Sequence, residues 1–246
     1  MSAMTVERTV ANDASLALRV EDLLAGYQGS QIVRGISLDV GPREILAIVG
    51  RNGAGKTTLV KTIVGLVPIG GGRLVLGGSD VSRLSAVQRV RRGIGYVPQG
   101  RGIFTRLTVA ENLRMGAMVG GAASRDAEQV FEWFPMLKKR LNQNAGTLSG
   151  GEQQMLSIGR VLSGRPSLLI LDEPSEGVQP NIVEQIAAVI RERNAAGLPV
   201  IIVEQNIDML EDLAHRCVVI DKGTIAATLL PSELARPEVA KQYLAI

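Results

Sequence analysis

Residues 43–58 read REILAIVGRNGAGKTT: a short apolar run, a glycine-rich loop, then a lysine and two threonines. The run 45–49 contains only Ile, Leu, Ala and Val, as expected of a strand buried on both faces. Residues 50–57 fit the pattern G-x-x-x-x-G-K-[ST]. In that setting Gly50, Gly53 and Gly55 let the backbone curl so that successive N–H groups point at phosphate oxygens, with Arg51, Asn52 and Ala54 completing the loop. Lys56 is expected to reach the β- and γ-phosphates, Thr57 to place its hydroxyl on Mg²⁺, and Thr58 to donate to a neighbouring phosphate oxygen. Beyond the loop, Leu59, Val60, Ile63, Val64 and Val67 recur at helical spacing, and Gly65 and Pro68 supply stop signals.

Phosphate chemistry needs a carboxylate at the end of another buried strand. The run 167–174, SLLILDEP, supplies one. Asp172 is expected to hold Mg²⁺ and Glu173 to orient or deprotonate the attacking water. Gln99 in GYVPQG follows a short strand, where its side-chain oxygen would serve Mg²⁺ or the reactive water. Tyr27 in LLAGYQGSQIV offers a ring to stack on adenine, a contact worth about 1 kcal/mol.

A second cradle stands at residues 148–154, LSGGEQQ. Ser149, Gly150, Gly151 and Glu152 open a helix, and a helix start carries partial positive charge and free N–H groups. Met155, Ile158 and Leu162 would anchor that helix to the core. The flanks of the two loops share no pattern, so duplication does not explain the pair.

Strand and helix alternate along most of the chain, which implies right-handed crossovers, a mainly parallel sheet and binding loops at the strand C-termini. The first strands, LALRVEDLLAGY and GISLDVGPREILAIVG, and the hairpin GGGRLVLGGSDVS precede a stretch from about 105 to 144 that reads as a helical insertion. RCVVIDKGTIAA reads as a closing hairpin. Residues 1–15 form a polar lead without the continuous apolar stretch of a secretory signal.

The 246 residues suit one large domain and are too few for two complete nucleotide-hydrolysing domains. With 27 basic and 24 acidic residues, and no Lys/Arg block, a nucleic-acid partner is not expected. Arg89, Arg91 and Arg92 read as a solvated face. The single cysteine, Cys217, reads as a small hydrophobe on a strand, and it points to a reducing compartment, the cytosol. No apolar run approaches the roughly 20 residues that span a bilayer.

In this order, GRNGAGKTT, YVPQG, LSGGE, LLILDEP and the upstream Tyr27 resemble the ATP-binding cassette ATPases, over the chain from about residue 16 to its end. The resemblance implies an α/β fold with a P-loop NTPase core, an N-terminal antiparallel β subdomain and an inserted α-helical subdomain at about 100–165. It implies ATP and Mg²⁺ as cofactors, and two cassettes paired head to tail, each ATP held between the glycine loop of one chain and LSGGE of the other. It also implies integral membrane permease subunits as partners, which would hold the chain at the cytoplasmic face of the inner membrane.

Two positions depart from the commonest family pattern. Gln205 in IIVEQN stands where a histidine is usual; its amide can donate to the γ-phosphate but carries no proton at neutral pH, which leaves Glu173 as the base. His215, the only histidine, reads as structural or exposed. Gln179 in PSEGVQP replaces a usual aspartate. VEQN, SEGVQP and PQGRGIFTRLTVAENL are similar to the smaller ATP-binding subunit of bacterial importers for branched-chain amino acids and related amides, including urea. There an extracytoplasmic binding protein delivers the substrate, and residues 100–112 would receive short helices of the membrane partner. The alternative is a lipid or polysaccharide exporter, where histidine is expected at position 205.

Overall fold

The computed structural model describes residues 16–119 and 125–244; the polar lead 1–15 lies outside the described residues. The chain first lays down β1 (Leu18–Tyr27), β2 (Ser30–Val40) and β3 (Ile45–Val49), then α1 (Lys56–Val64), β4 (Ile69–Leu76), β5 (Ser79–Asp80), α2 (Ala86–Arg91) and β6 (Ile94–Val97). A helical stretch follows: α3 (Val109–Val119), α4 (Arg125–Trp133), α5 (Pro135–Lys138) and α6 (Gly150–Ser163). The remainder is β7 (Leu168–Asp172), α7 (Pro180–Ala195), β8 (Val200–Val203), α8 (Ile207–Leu213), β9 (Arg216–Asp221), β10 (Thr224–Leu229), α9 (Pro231–Leu234) and α10 (Pro237–Tyr243).

These strands build two sheets. The antiparallel one has the order β2-β1-β4-β5, and the larger one the order β10-β9-β3-β8-β7-β6. Within the larger sheet β9, β3, β8, β7 and β6 run parallel and β10 closes the edge antiparallel. Every residue of β3, β7 and β8 is buried, so their side chains feed two cores in alternation. Ala47, Val49, Leu169, Leu171 and Ile202 enter one core, with α6, α7 and α8. Leu46, Ile48, Ile170, Ile201 and Val203 enter the other, with α1 and the antiparallel sheet. Each such fully buried aliphatic side chain contributes about 1.5–3 kcal/mol, which fixes the register and with it the loops at the strand ends.

Local signals terminate the elements where the sequence suggests. Gly65 caps α1 in the left-handed conformation at φ 91°. Asn206 caps α8 by accepting from the Met209 N–H. The helical stretch packs through Met155, Ile158 and Leu162, all in the core. At Gly116 a Cβ would sit 1.8 Å from the Arg160 carbonyl oxygen, so only glycine lets α3 approach α6 this closely. Cys217 is buried on β9, and burial pushes its thiol up to about 12.

The arginine trio does not form the solvated face expected of it. Arg91 and Arg92 are exposed, but Arg89 is 2 % exposed. Its guanidinium donates to the carbonyls of Thr62 (2.6 Å) and Ile63 (2.9 Å), in the last turn of α1, and to those of Leu84 (3.0 Å) and Ser82 (2.9 Å). A buried cation is tolerated here because carbonyl oxygens at the negative end of a helix surround it. Arg89 thus pins the far end of the helix that carries Lys56 and Thr57.

Candidate functional site

The C-terminal ends of β3, β6, β7 and β8 converge on one cleft of about 630 Å³, whose lining includes Asn52, Gly53, Gly55, Lys56, Thr57, Thr58, Gln99, Glu173, Glu204 and Gln205. Gly50, Gly53 and Gly55 have φ of 141°, 78° and 106°, values that a side chain strains. At Gly50 a Cβ would meet the Ile220 carbonyl oxygen at 2.2 Å. The loop therefore folds tightly over the sheet, with the Ala54 N–H on Arg51 O (3.1 Å) and Gly223 N–H on Ala54 O (2.9 Å).

Lys56 is 5 % exposed, and its Nζ donates to Gly50 O at 2.6 Å and Arg51 O at 3.1 Å. An ammonium has three donors, so the loop orients it while one donor is left for a ligand. Burial lowers its pKa, and the charges of Glu173 and Asp172 oppose that shift. The Arg51 side chain turns away to the carbonyls of Lys241 and Gln242 on α10 (3.5 and 3.4 Å), so Arg51 serves the loop through its backbone.

Asp172 is fully buried under the loop. One carboxylate oxygen stands 3.5 Å from Thr57 Oγ1 and the other accepts from Tyr96 OH at 3.2 Å. Burial raises the Asp172 pKa, with Glu173 adding to the rise while the Tyr96 hydrogen bond opposes it; burial and Asp172 in turn raise that of Tyr96. A carboxylate beside a hydroxyl is a donor set that suits Mg²⁺, which takes one or two carboxylates and leaves its other positions to substrate and water. Among the described residues no group of three or more His, Cys, Asp or Glu forms a metal site independent of a ligand.

Glu173 follows at φ 51°, with its N–H on Val203 O at 2.8 Å. A left-handed non-glycine residue costs on the order of 1 kcal/mol, a cost that persists where geometry serves a site. Gln99 Nε2 donates to one Glu173 oxygen at 2.8 Å and Gln205 Nε2 to the other at 3.2 Å. Gln99 also reaches Glu176 (3.1 Å), and Gln205 also reaches Asn52 Oδ1 (3.0 Å). Two amides therefore orient a carboxylate that can accept a proton from water.

Glu204 and Tyr96 are site residues that the sequence reading missed. Glu204 is 3 % exposed and accepts from the N–H groups of Gln205 (2.7 Å), Asn206 (3.0 Å) and Ser175 (3.2 Å). It thereby ties the loop after β8 to the loop after β7. Its signal was an acid ending an otherwise apolar strand, the same signal that marked Asp172.

The second cradle and Tyr27 do not line this cleft. Tyr27 is 45 % exposed at the β1–β2 turn. Ser149 is exposed as N-cap of α6, where its Oγ and the Glu152 carboxylate form a reciprocal capping box. Glu152, grouped by the sequence with the nucleotide contacts, spends its oxygens on Ser149 N (2.7 Å) and on Arg140 Nε (3.0 Å). A carboxylate so placed orients the serine. Gln179 is the exposed N-cap residue of α7 and makes no side-chain capping bond. His215 accepts the Ile45 N–H at Nδ1 (3.0 Å), a structural contact on β3.

A lysine-bearing glycine loop, a buried aspartate beside its threonine and an oriented glutamate at the next strand end define a P-loop nucleoside-triphosphate hydrolase. The family model described as ABC transporter matches residues 33–176. The high-affinity branched-chain amino acid transport ATP-binding protein BraG of Pseudomonas aeruginosa is 40% identical over 227 residues, 91% of this chain and 97% of that protein. The lipopolysaccharide export system ATP-binding protein LptB of Haemophilus influenzae is 36% identical, over 92% of this chain and 95% of that one. Among solved structures, a nucleotide-free ATP-binding cassette from an ABC transporter superposes with a TM-score of 0.81 at 25% identity, covering 92% of this chain and 98% of that one. The chain belongs to the ABC transporter family, as an ATP-binding, ATP-hydrolysing subunit.

The geometry separates Gln205, at the C-terminal end of β8, from His215, which bonds to Ile45 at the start of β3. Gln205→Ala removes the amide shared by Asn52 and Glu173 and is expected to slow ATP turnover about 10–100-fold, the worth of one hydrogen bond to a charged group. His215→Ala is expected to change turnover by less than about twofold, since a neutral backbone hydrogen bond contributes about 1 kcal/mol to stability alone. Phosphate release at saturating ATP checks both, and the reverse ranking would contradict the placement of Gln205 beside the γ-phosphate.

Proposed function

We propose that the chain powers import of branched-chain amino acids or related amides, working as one of two cassettes bound to membrane permease subunits. In this reading it is a single cassette, residues 16–246, with its helical part at about 100–165. Thr57, Asp172 and Gln99 hold Mg²⁺, which would neutralise charge on the transferred phosphate. Lys56 and the loop from Gly50 to Thr58 hold the β- and γ-phosphates, Tyr27 stacks on adenine, and Glu173 takes the proton of the attacking water with Gln205 beside it.

The observation that carries the paired arrangement is the separation of the two cradles: Lys56, Thr57, Gln99, Glu173 and Gln205 line one cleft, and Ser149, Gly150 and Gly151 are not among its lining. A second cassette, approaching head to tail, brings its nucleotide to that helix start. Closure then depends on ATP, and hydrolysis removes the phosphate that bridges the chains. The permease contact is supported by exposed Phe104, Met115 and Met118 on the loop before α3 and on α3 itself. No helix among the described residues is long and apolar enough to cross a membrane, and the permease would hold the chain at the cytoplasmic face of the inner membrane.

The substrate class rests on Gln205 and its surrounding VEQN, and BraG bears the matching name. LptB, nearly as similar, keeps export of a lipid or polysaccharide as the second reading. Copurification from membranes, followed by reconstitution with the subunits recovered and with the extracytoplasmic binding protein, tests it. ATP-dependent uptake of labelled leucine is expected; ATP-dependent lipid extraction without uptake of leucine or urea would establish the exporter.

A further inference from the structure

The loop that follows β6 sends Gln99 to Glu173 and, two residues later, Arg101 to the start of α6. Arg101 adopts φ 74°, a left-handed backbone rare for a long side chain. Its Nη1 donates to Gln153 Oε1 at 3.1 Å. Its Nη2 lies so close to Gly150 that a Cβ there would stand 2.7 Å away. The Ser157 hydroxyl donates to the Arg101 carbonyl, and Arg160 Nη2 holds the next carbonyl, Gly102 O, at 2.7 Å. The guanidinium is thus fixed against the first residue of α6.

That placement opposes ordinary electrostatics. The N-terminal turn of a 14-residue helix carries partial positive charge, and anions, not cations, are favoured beside it. Among the described residues no carboxylate pairs with Arg101; its side-chain partner is the neutral Gln153. Glu152 is taken by Ser149 and Arg140, and Glu176, next to Gly177, is taken by Gln99. A guanidinium held at a positive helix end, with room made for it by glycine, is matched by an anion arriving from outside the chain.

Resting on the reading that Ser149–Gly151 grip the nucleotide of a second cassette, we propose that Arg101 completes that grip by donating to the γ-phosphate of the second cassette's ATP. Ser149, Gly150 and Gly151 supply neutral donors; Arg101 supplies the charge, which makes the contact strong and specific for a terminal phosphate. ADP, lacking that phosphate, gains nothing from it. Arg101 is a binding residue for the neighbouring site, carried on the same loop as the glutamine of its own.

The test uses the full chain with Glu173→Gln, so that ATP persists, and follows ATP-driven self-association by light scattering. Arg101→Gln is expected to weaken association about 10–100-fold while ATP affinity of the dilute monomer stays within about twofold. Arg101→Lys, which keeps a cation at the same position, is expected to associate more tightly than Arg101→Gln and less tightly than the native arginine. In the Arg101-containing chain, ATP should also shield Arg101 from an arginine-specific dicarbonyl reagent at associating concentrations and not in dilute monomer. Unchanged association of Arg101→Gln, association of Arg101→Lys no tighter than that of Arg101→Gln, or labelling of Arg101 indifferent to association would each overturn the assignment and leave the shared-nucleotide reading standing. No ATP-driven association of the Glu173→Gln parent would remove that reading, and the assignment with it.

Discussion

Glu173→Gln is expected to retain ATP and lose its turnover by about 10²–10⁴-fold, the usual worth of a positioned general base. The amide fills the same volume, at the same left-handed backbone position, with one oxygen still able to accept from Gln99 or Gln205. It cannot take a proton from water. With the terminal phosphate uncleaved, the two cassettes stay closed on ATP, so the lost rate should come with a longer-lived dimer. Turnover at the native rate would reject Glu173 as the base and shift attention to Glu204, whose carboxylate is already filled by three backbone N–H groups.

Lys56→Ala is expected to weaken ATP binding by about two orders of magnitude or more, since an ammonium on a phosphate contributes about 1.5–3 kcal/mol per hydrogen bond and its charge acts in a largely buried loop. The change also frees Gly50 O and Arg51 O, which now accept from Nζ. Lys56→Arg separates the two effects: it keeps the charge, so a loop that merely needs a cation would bind ATP normally. Equilibrium titration with a fluorescent ATP analogue measures all three chains. Native affinity in Lys56→Ala would move the phosphate site elsewhere.

Much of this arrangement is legible in the sequence because it depends on local patterns. A continuous aliphatic run ending in glycine can hardly be other than a buried strand entering a turn, and Lys56 and Thr57 then sit at the helix start by spacing alone. Asp172, Glu173 and Gln205 mark themselves as polar residues ending β-branched or aliphatic strands. What is hidden depends on distant neighbours. Arg89 looks like one of three surface arginines until α1 is packed beside it, when its carbonyl partners, 26 and 27 positions away, become visible. The partners of Glu152 are hidden in the same way, since its pairing with Arg140 needs the helical stretch folded back on the start of α6. Tyr96 acquires its meaning from the parallel pairing of β6 with β7, which sets it opposite Ile170 and beside Asp172.

The separation of the two cradles is tested most directly by disulfide trapping. Asn52→Cys is placed in one pool of Glu173→Gln chains and Ser149→Cys in another; both positions are exposed, whereas the native Cys217 is buried. On mixing, ATP is expected to produce a bond between an Asn52→Cys chain and a Ser149→Cys chain, and ADP is not. A chain carrying both cysteines that closes the bond within itself, as a monomer and without regard to nucleotide, would contradict the account.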